Sequence, residues 1–328
     1  MKPQFKYFLS CTVLFLAKGE SFCQQNYVDS LKNVLEKTSA DTSRIDLLND
    51  LADEFAFSDY DKAADYAKQA LDLSQKINSK SRIVRSYLKL GMIARERGDY
   101  DKAIPYLLSA MKISEEIDFK FGIGASASTI GTIYHIQGNY EKALEYLNAS
   151  LSIAKEINSV TGMAASYSNI GQIYQEIGDC EKALHHYIES FKMDSALNEP
   201  HNVGLGFNNI GVAYSMKCTD KGFPDNKKAF EYFEKALDVF SKIDDRQGMA
   251  MCFNNISGVY LDKKDFPAAI ASVEKGLAIA KEVGSKVDLK DAYENLSIAY
   301  DGMGDFKKAY EFHKLYSEMK DSLLNEES

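Results

Sequence analysis

Residues 169–184 read Asn-Ile-Gly-Gln-Ile-Tyr-Gln-Glu-Ile-Gly-Asp-Cys-Glu-Lys-Ala-Leu. Two of these positions decide the fold, because both recur through the chain. The small residue Gly171 returns at Gly91, Gly131 and Gly211, and as serine at Ser257 and Ser297. The alanine Ala183 returns at Ala63, Ala103, Ala143, Ala229, Ala269 and Ala309. Both series advance in steps of 40 residues, with one step of 46 in the same interval. Two independent markers that share one period and one insertion identify stacked structural repeats. There are seven copies, and the first is less regular, with Ala52 and Phe55 in place of the glycine and the tyrosine.

Each copy reads as two helices and a tight turn. In residues 121–160, Ala127, Ile130 and Tyr134 lie at helical spacing on a first helix. Gly138 ends that helix and Asn139 caps the next through its side-chain oxygen. Ala143, Leu147, Leu151 and Ala154 form one apolar stripe on the second helix. The cap recurs four residues before every marker alanine, at Asp59, Asp99, Asn139, Asp179, Asp225, Asp265 and Asp305. The small markers let the two helices approach closely, and Tyr134, Tyr174, Tyr214, Tyr260 and Tyr300 fill the space beside them as core residues rather than a ligand cage. A single helix pair cannot bury its apolar face, so the copies must stack. Pro105 lies inside a second helix and predicts a local kink. The expected units are 43–81, 82–120, 121–160, 161–200, 201–246, 247–286 and 287–323, with a tail at 324–328. Residues 24–42 add a lead-in helix whose Val28, Leu31 and Leu35 cover the open first repeat.

The segment Asn169-Ile170-Gly171-x-x-Tyr174, then Gly178-Asp179, then Ala183-Leu184, resembles the tetratricopeptide repeat, in a 40-residue variant of a period that is commonly 34. The resemblance covers roughly residues 43–320. It implies an all-α fold, a right-handed α-solenoid of about seven helix pairs, whose first helices line a concave groove that holds a peptide or partner helix.

The start and the composition set the context. Lys2 and Lys6, an apolar run from Tyr7 to Ala17, and small Ser21 and Cys23 before Gln24 have the layout of a secretory signal peptide over residues 1–23. An exported chain, periplasmic or secreted, is expected. Glu20 and Phe22 argue against Cys23 as a lipid anchor. No later segment is apolar enough for a membrane span. The net charge of −9, more negative still without the leader, excludes a nucleic-acid partner. Cys180, Cys218 and Cys252 remain, an odd and irregular set that reads as packing residues rather than a disulfide framework. The insertion at 218–225 contains Gly222 and Pro224, which mark a loop; it reads as a variation in length, with a partner contact through Phe223 at its tip as the alternative.

No phosphate loop or zinc helix is present. Gly122 and Gly124 open a helix without a preceding strand, and His185 and His186 point to different sides of one. No enzyme, cofactor or metal is expected. One polar feature recurs: Asn169, Asn209, Asn255 and Asn295 stand two residues before the marker, with Thr129 and Lys89 there in earlier copies. In a regular stack these form a concave ladder of amides, each offering donors and an acceptor. The resemblance implies that such asparagines grip peptide backbone; the alternative is that they bond to the neighbouring repeat. Arg85, Lys89, Gln172 and Glu176 are candidates for specificity. The expected function is a protein- or peptide-binding scaffold in signalling or assembly, with a membrane-associated signalling partner possible. The alternative is the sensor part of a histidine kinase or transcriptional regulator, suggested by resemblance of residues 41–49 and 313–323 to bacterial signalling proteins. On that reading the chain is truncated or a fragment.

Overall fold

A computed structural model describes residues 16–56, 58–218 and 223–327. Fifteen helices and no strand occur among them. A lead-in helix α1 (Leu16–Lys37) precedes seven pairs: α2 (Asp41–Phe55) and α3 (Tyr60–Lys76); α4 (Lys80–Glu96) and α5 (Tyr100–Glu116); α6 (Lys120–Ile136) and α7 (Tyr140–Glu156); α8 (Val160–Ile177) and α9 (Cys180–Leu197); α10 (Pro200–Ser215) and α11 (Asn226–Lys242); α12 (Arg246–Asp262) and α13 (Phe266–Val283); α14 (Lys286–Gly302) and α15 (Phe306–Glu327). Each helix packs on the next, and first helices also touch the first helices of adjacent pairs. No such contact of comparable extent joins the second helices, so the first helices form the inner layer of an α-solenoid. Residues 1–15, most of the expected leader, lie outside the described residues, and residues 16–23 form the first turns of α1. Val28 and Leu31 are buried against Leu51, with Leu35 beside them, so α1 covers the first pair.

The crossing of the two helices in a pair explains the markers. A Cβ on Gly91 would stand 2.6 Å from Leu107, on Gly131 2.8 Å from Leu147, on Gly171 2.8 Å from Tyr187 and on Gly211 2.7 Å from Phe233. Each obstacle lies one turn beyond the marker alanine on the second helix. All seven alanines are buried. Where the second helix carries a smaller residue at that place, the first can carry a larger one. Ala52 shares a cluster with Ala67, and Ser257 stands in the pair whose second helix offers Val273.

The turns are built as repeated units. Six of the seven cap residues accept a hydrogen bond from the backbone amide three residues on, as Asp179 does from Lys182 at 3.1 Å. Asp99 is the exception, and its carboxylate meets Lys102 Nζ at 2.5 Å instead. The lysine after the cap then lies over the tyrosine of the preceding helix: Lys142 over Tyr134 and Lys182 over Tyr174 at 4.9 Å, Lys308 over Tyr300 at 4.7 Å. Those tyrosines are half-buried and stack inward, Tyr134 on Tyr146 at 5.7 Å and Tyr300 on Phe312 at 5.6 Å. A second set of turns joins the pairs, and sequence periodicity had more to give here. Asn78, Asp118, Asn158, Asn198 and Asp244 adopt left-handed backbone with φ of 52–55°. They keep the same 40-and-46 spacing, because Asn and Asp tolerate that conformation best among residues with a side chain.

One expectation is corrected. Cys180 and Cys218 are joined in a disulfide, so they are not independent packing residues. The bridge spans 38 residues and ties the α8–α9 turn to the loop after α10. Irregular spacing hid it, because a solenoid brings successive turns side by side whatever lies between them. Phe223 is not an open contact: its half-buried ring stacks on Tyr214 at 6.0 Å. Cys252 does pack as expected, with burial pushing its thiol up to about 12. The helix around Pro105 runs continuously from Tyr100 to Glu116.

The crossing can be tested by a double-mutant cycle. Gly211→Ser alone drives a side chain into Phe233 and should cost about 1–3 kcal/mol in urea denaturation. Adding Phe233→Val recreates the residue pair found at Ser257 and Val273. The double variant should lose clearly less than the sum of the two single losses; simple additivity would show that the two positions do not share one space.

Candidate functional site

The inner layer is interrupted at one place. Helices α2, α4, α6 and α8 touch in succession, as do α10, α12 and α14, but α8 and α10 barely meet. The opening is a cleft of about 480 Å³. Its walls are the first half of α8 and the first half of α10, and its floor is the second half of α9.

The side chains three residues before the markers differ on the two sides of the gap. In α10 this is Asn208, whose Oδ1 accepts from Asn255 Nδ2 of α12 at 2.8 Å. In α12 it is Asn254, whose Nδ2 donates to the Asp288 carbonyl of α14 at 3.0 Å. Asn295 Nδ2 returns a bond to the Asn254 carbonyl at 3.0 Å. Amides thus tie α10 to α12 to α14. The same position in α8 is Ser168, whose short side chain makes no such bridge.

The predicted ladder therefore divides. Asn169 and Asn209 line the cleft, and neither amide has a side-chain partner among the described residues. Asn255 and Asn295 line a second cleft of about 460 Å³ beside Asp262, Asp291 and Glu294, but each donates to the adjacent repeat. Thr129 is buried and donates to the Ala125 carbonyl of its own helix at 3.0 Å. Lys89 pairs with Asp53 of α2. Among the specificity candidates, Arg85 and Gln172 are exposed, while Glu176 bonds His135 Nε2 at 2.9 Å and the Tyr140 hydroxyl.

The floor holds what sequence reasoning missed. Asp194 is only 9% exposed and lines the cleft. Its Oδ2 lies 3.3 Å from Ser190 Oγ, which also lies 3.0 Å from the Ala164 carbonyl. One hydroxyl proton cannot serve both acceptors. Burial, only partly offset by Ser190, holds the Asp194 carboxyl above the ordinary aspartate range. The signal was present in the repeat register. Equivalent positions are Ser74, Ser114, Ala154, Phe240 and Ala280, all buried and uncharged, and the exposed Lys320 in the terminal helix. An aspartate in that column is out of place for packing alone.

Comparison with known proteins agrees with this architecture. The tetratricopeptide repeat model matches residues 82–156, 123–196 and 225–282, together more than half of the chain. The chain belongs to the tetratricopeptide-repeat (TPR) family. The SusR N-terminal TPR domain model matches residues 21–114. No curated protein is a detectable sequence relative. Among solved structures, the apo form of RapI superposes with a TM-score of 0.70 at 16% identity, over 86% of this chain and 99% of that one. The apo quorum sensor NprR from B. thuringiensis gives 0.68 at 15% identity, over 92% and 83%. The Rap conjugation gene regulator of plasmid pLS20, in complex with the Phr* peptide, gives 0.63 at 18% identity, over 86% and 74%. At these identities the likeness is one of fold. The TPR solenoid is a protein-binding scaffold, and in this chain no helix among the described residues is long and apolar enough to cross a membrane.

The buried aspartate gives a stability prediction with a definite sign. Folded Asp194 keeps its proton over a pH window, beginning near the ordinary value of 3.8, in which the unfolded chain has lost it. Stability from this group therefore falls as pH rises through that window and stays lower above the folded value. Asp194→Asn should melt higher than the parent at pH 7, and the two curves should converge below about pH 3.8. Equal melting temperatures at neutral pH would show that the carboxylate is fully compensated.

Proposed function

We propose that this TPR solenoid is a non-enzymatic receptor for an extended peptide or protein segment, working outside the cytoplasm in signalling or assembly. The observation that carries the reading is the missing inner contact between α8 and α10, with the two unpaired amides Asn169 and Asn209 facing the gap. Amides on opposite walls suit a peptide backbone, which presents donors and acceptors along both edges. The pLS20 regulator holding its Phr* peptide on a similar fold supports the reading. The Cys180–Cys218 bridge supports an exported location, since disulfides persist in oxidising compartments. A second reading, the sensor part of a larger signalling protein with a membrane-associated partner, is favoured by the match to a domain that is N-terminal in SusR.

Binding is tested with a random hexapeptide mixture passed over the immobilised full chain. The parent should retain a defined subset. Asn169→Ala with Asn209→Ala should lower retention about tenfold or more with little change in melting temperature, as expected for removing unpaired amides. Asn255→Ala with Asn295→Ala should instead lower stability by about 1–3 kcal/mol, because those amides tie the repeats together. Ser168→Asn should also reduce retention by placing an amide in the gap. Undiminished capture by the Asn169, Asn209 variant would exclude the ladder as the grip.

Location is tested on the native protein from its own cells. An exported chain should be about 2–3 kDa lighter than the full sequence. It should show Cys252 as its free thiol, and only after unfolding. A full-length cytosolic chain with Cys180 and Cys218 reduced would overturn the exported reading.

A further inference from the structure

We infer that Asp194 is the specificity-determining residue of the α8–α10 cleft, and that it selects peptides presenting a cationic side chain, arginine or lysine, to the floor of the groove. This rests on the peptide-binding reading above. The cleft is lined by two acids, Asp194 and Glu199, and by no lysine, arginine or histidine. The facing part of α8 supplies Thr161, Ala164, Ala165 and Ser168, none of them charged. On α9, Tyr187 gives its hydroxyl to Gln175 at 2.7 Å, and Lys192 pairs with Glu189 at 2.6 Å. From the start of α10, His201 turns to Asp245 at 2.7 Å. Lys192 and His201 are thus engaged elsewhere, and the carboxylate is left with half a claim on one hydroxyl.

A buried carboxylate without a counter-ion is costly, and a lysine or a second protonated group would have resolved it inside the chain. Other buried positions at the same register use serine, alanine or phenylalanine, and the one other charged residue there, Lys320, is exposed. Here the position stays acidic where the inner layer opens, so the counter-charge must enter through the opening. A guanidinium suits the geometry, since it offers several donors to Asp194 Oδ2 and to Ser190 Oγ while its stem packs on Ala164, Ala165 and Leu205 along the walls. An ordinary neutral side chain leaves Asp194 buried and unpaired. The Asn169 and Asn209 amides then hold backbone on either side, without reading sequence. Peptide selection and peptide grip are separate tasks on separate elements, the floor helix and the walls.

The test uses three N-acetylated, C-amidated hexapeptide mixtures, random except for one fixed central position holding arginine, citrulline or glutamate. Acetylation removes the terminal amine as a rival cation. A fully extended hexapeptide spans at most about 22 Å. The arginine mixture should be retained at least about tenfold better than its citrulline isostere on the immobilised full chain, the difference expected for pairing a buried charge. Asp194→Asn, which keeps the shape and still bonds Ser190, should abolish that preference while retaining citrulline peptides. Lowering pH toward the ordinary aspartate value of 3.8 should weaken arginine retention and leave citrulline retention unchanged, because the raised carboxyl takes up its proton before an ordinary one does. Equal retention of arginine and citrulline mixtures would overturn the role of Asp194 and leave the groove reading intact. An arginine preference that survives Asp194→Asn would also overturn it, and would move the selection to Glu199 or to the acids of the second cleft. Retention of none of the three mixtures would instead remove the peptide-groove reading on which the inference rests.

Discussion

The crossing of two helices at a residue with little or no side chain governs everything else in this protein. At Gly91, Gly131, Gly171 and Gly211 the partner helix brings a leucine, tyrosine or phenylalanine to within a distance that excludes a Cβ. That contact fixes how closely a pair packs, and closeness fixes the angle at which the next pair can be added. Interiors packed at this density do not deform gradually. Seven near-identical crossings therefore accumulate into a regular curve with an inner layer of first helices, and any local change in that layer becomes visible as a gap.

Legibility followed from repetition. The fold could be read because each element is stated several times: a cap before every marker alanine, and in most copies a lysine three residues after the cap and an aromatic near the end of the preceding helix. The disulfide was not legible, because it depends on which turns end up adjacent rather than on spacing along the chain. The asparagine ladder was half legible. Its placement on the inner layer followed from the register, but whether an amide faces the groove or its neighbour depends on the residue beside it. Asn208 captures Asn255, whereas Ser168 leaves Asn209 alone. Asp194 lay in plain view as the one charged residue among the buried members of its column. Reading columns across repeats finds such a residue; reading windows along the chain does not.

The fourth and fifth pairs are held in an asymmetric way. At the turn end, Cys180 and Cys218 bind them covalently. At the opposite end, the inner contact is absent and the cleft opens. The floor of the cleft is α9, the same helix whose first residue carries the disulfide. The bridge ties the two pairs covalently where the inner contact between their first helices is slight.

The arrangement also explains why the opening persists instead of collapsing. Closing α8 on α10 would seal Asp194 in a space with no cation, and would leave Asn169 and Asn209 to find partners with a serine between them. A buried charge is tolerated only while water or a counter-ion can reach it. The acid on the floor therefore penalises a closer meeting of the two walls, and Ser168 offers no amide to bridge them. A ligand that brings its own cation removes that penalty and supplies the contact the inner layer lacks. Recognition and the local geometry of the solenoid are then one event, and stability given up in the empty chain is regained only when a chemically matched segment fills the gap.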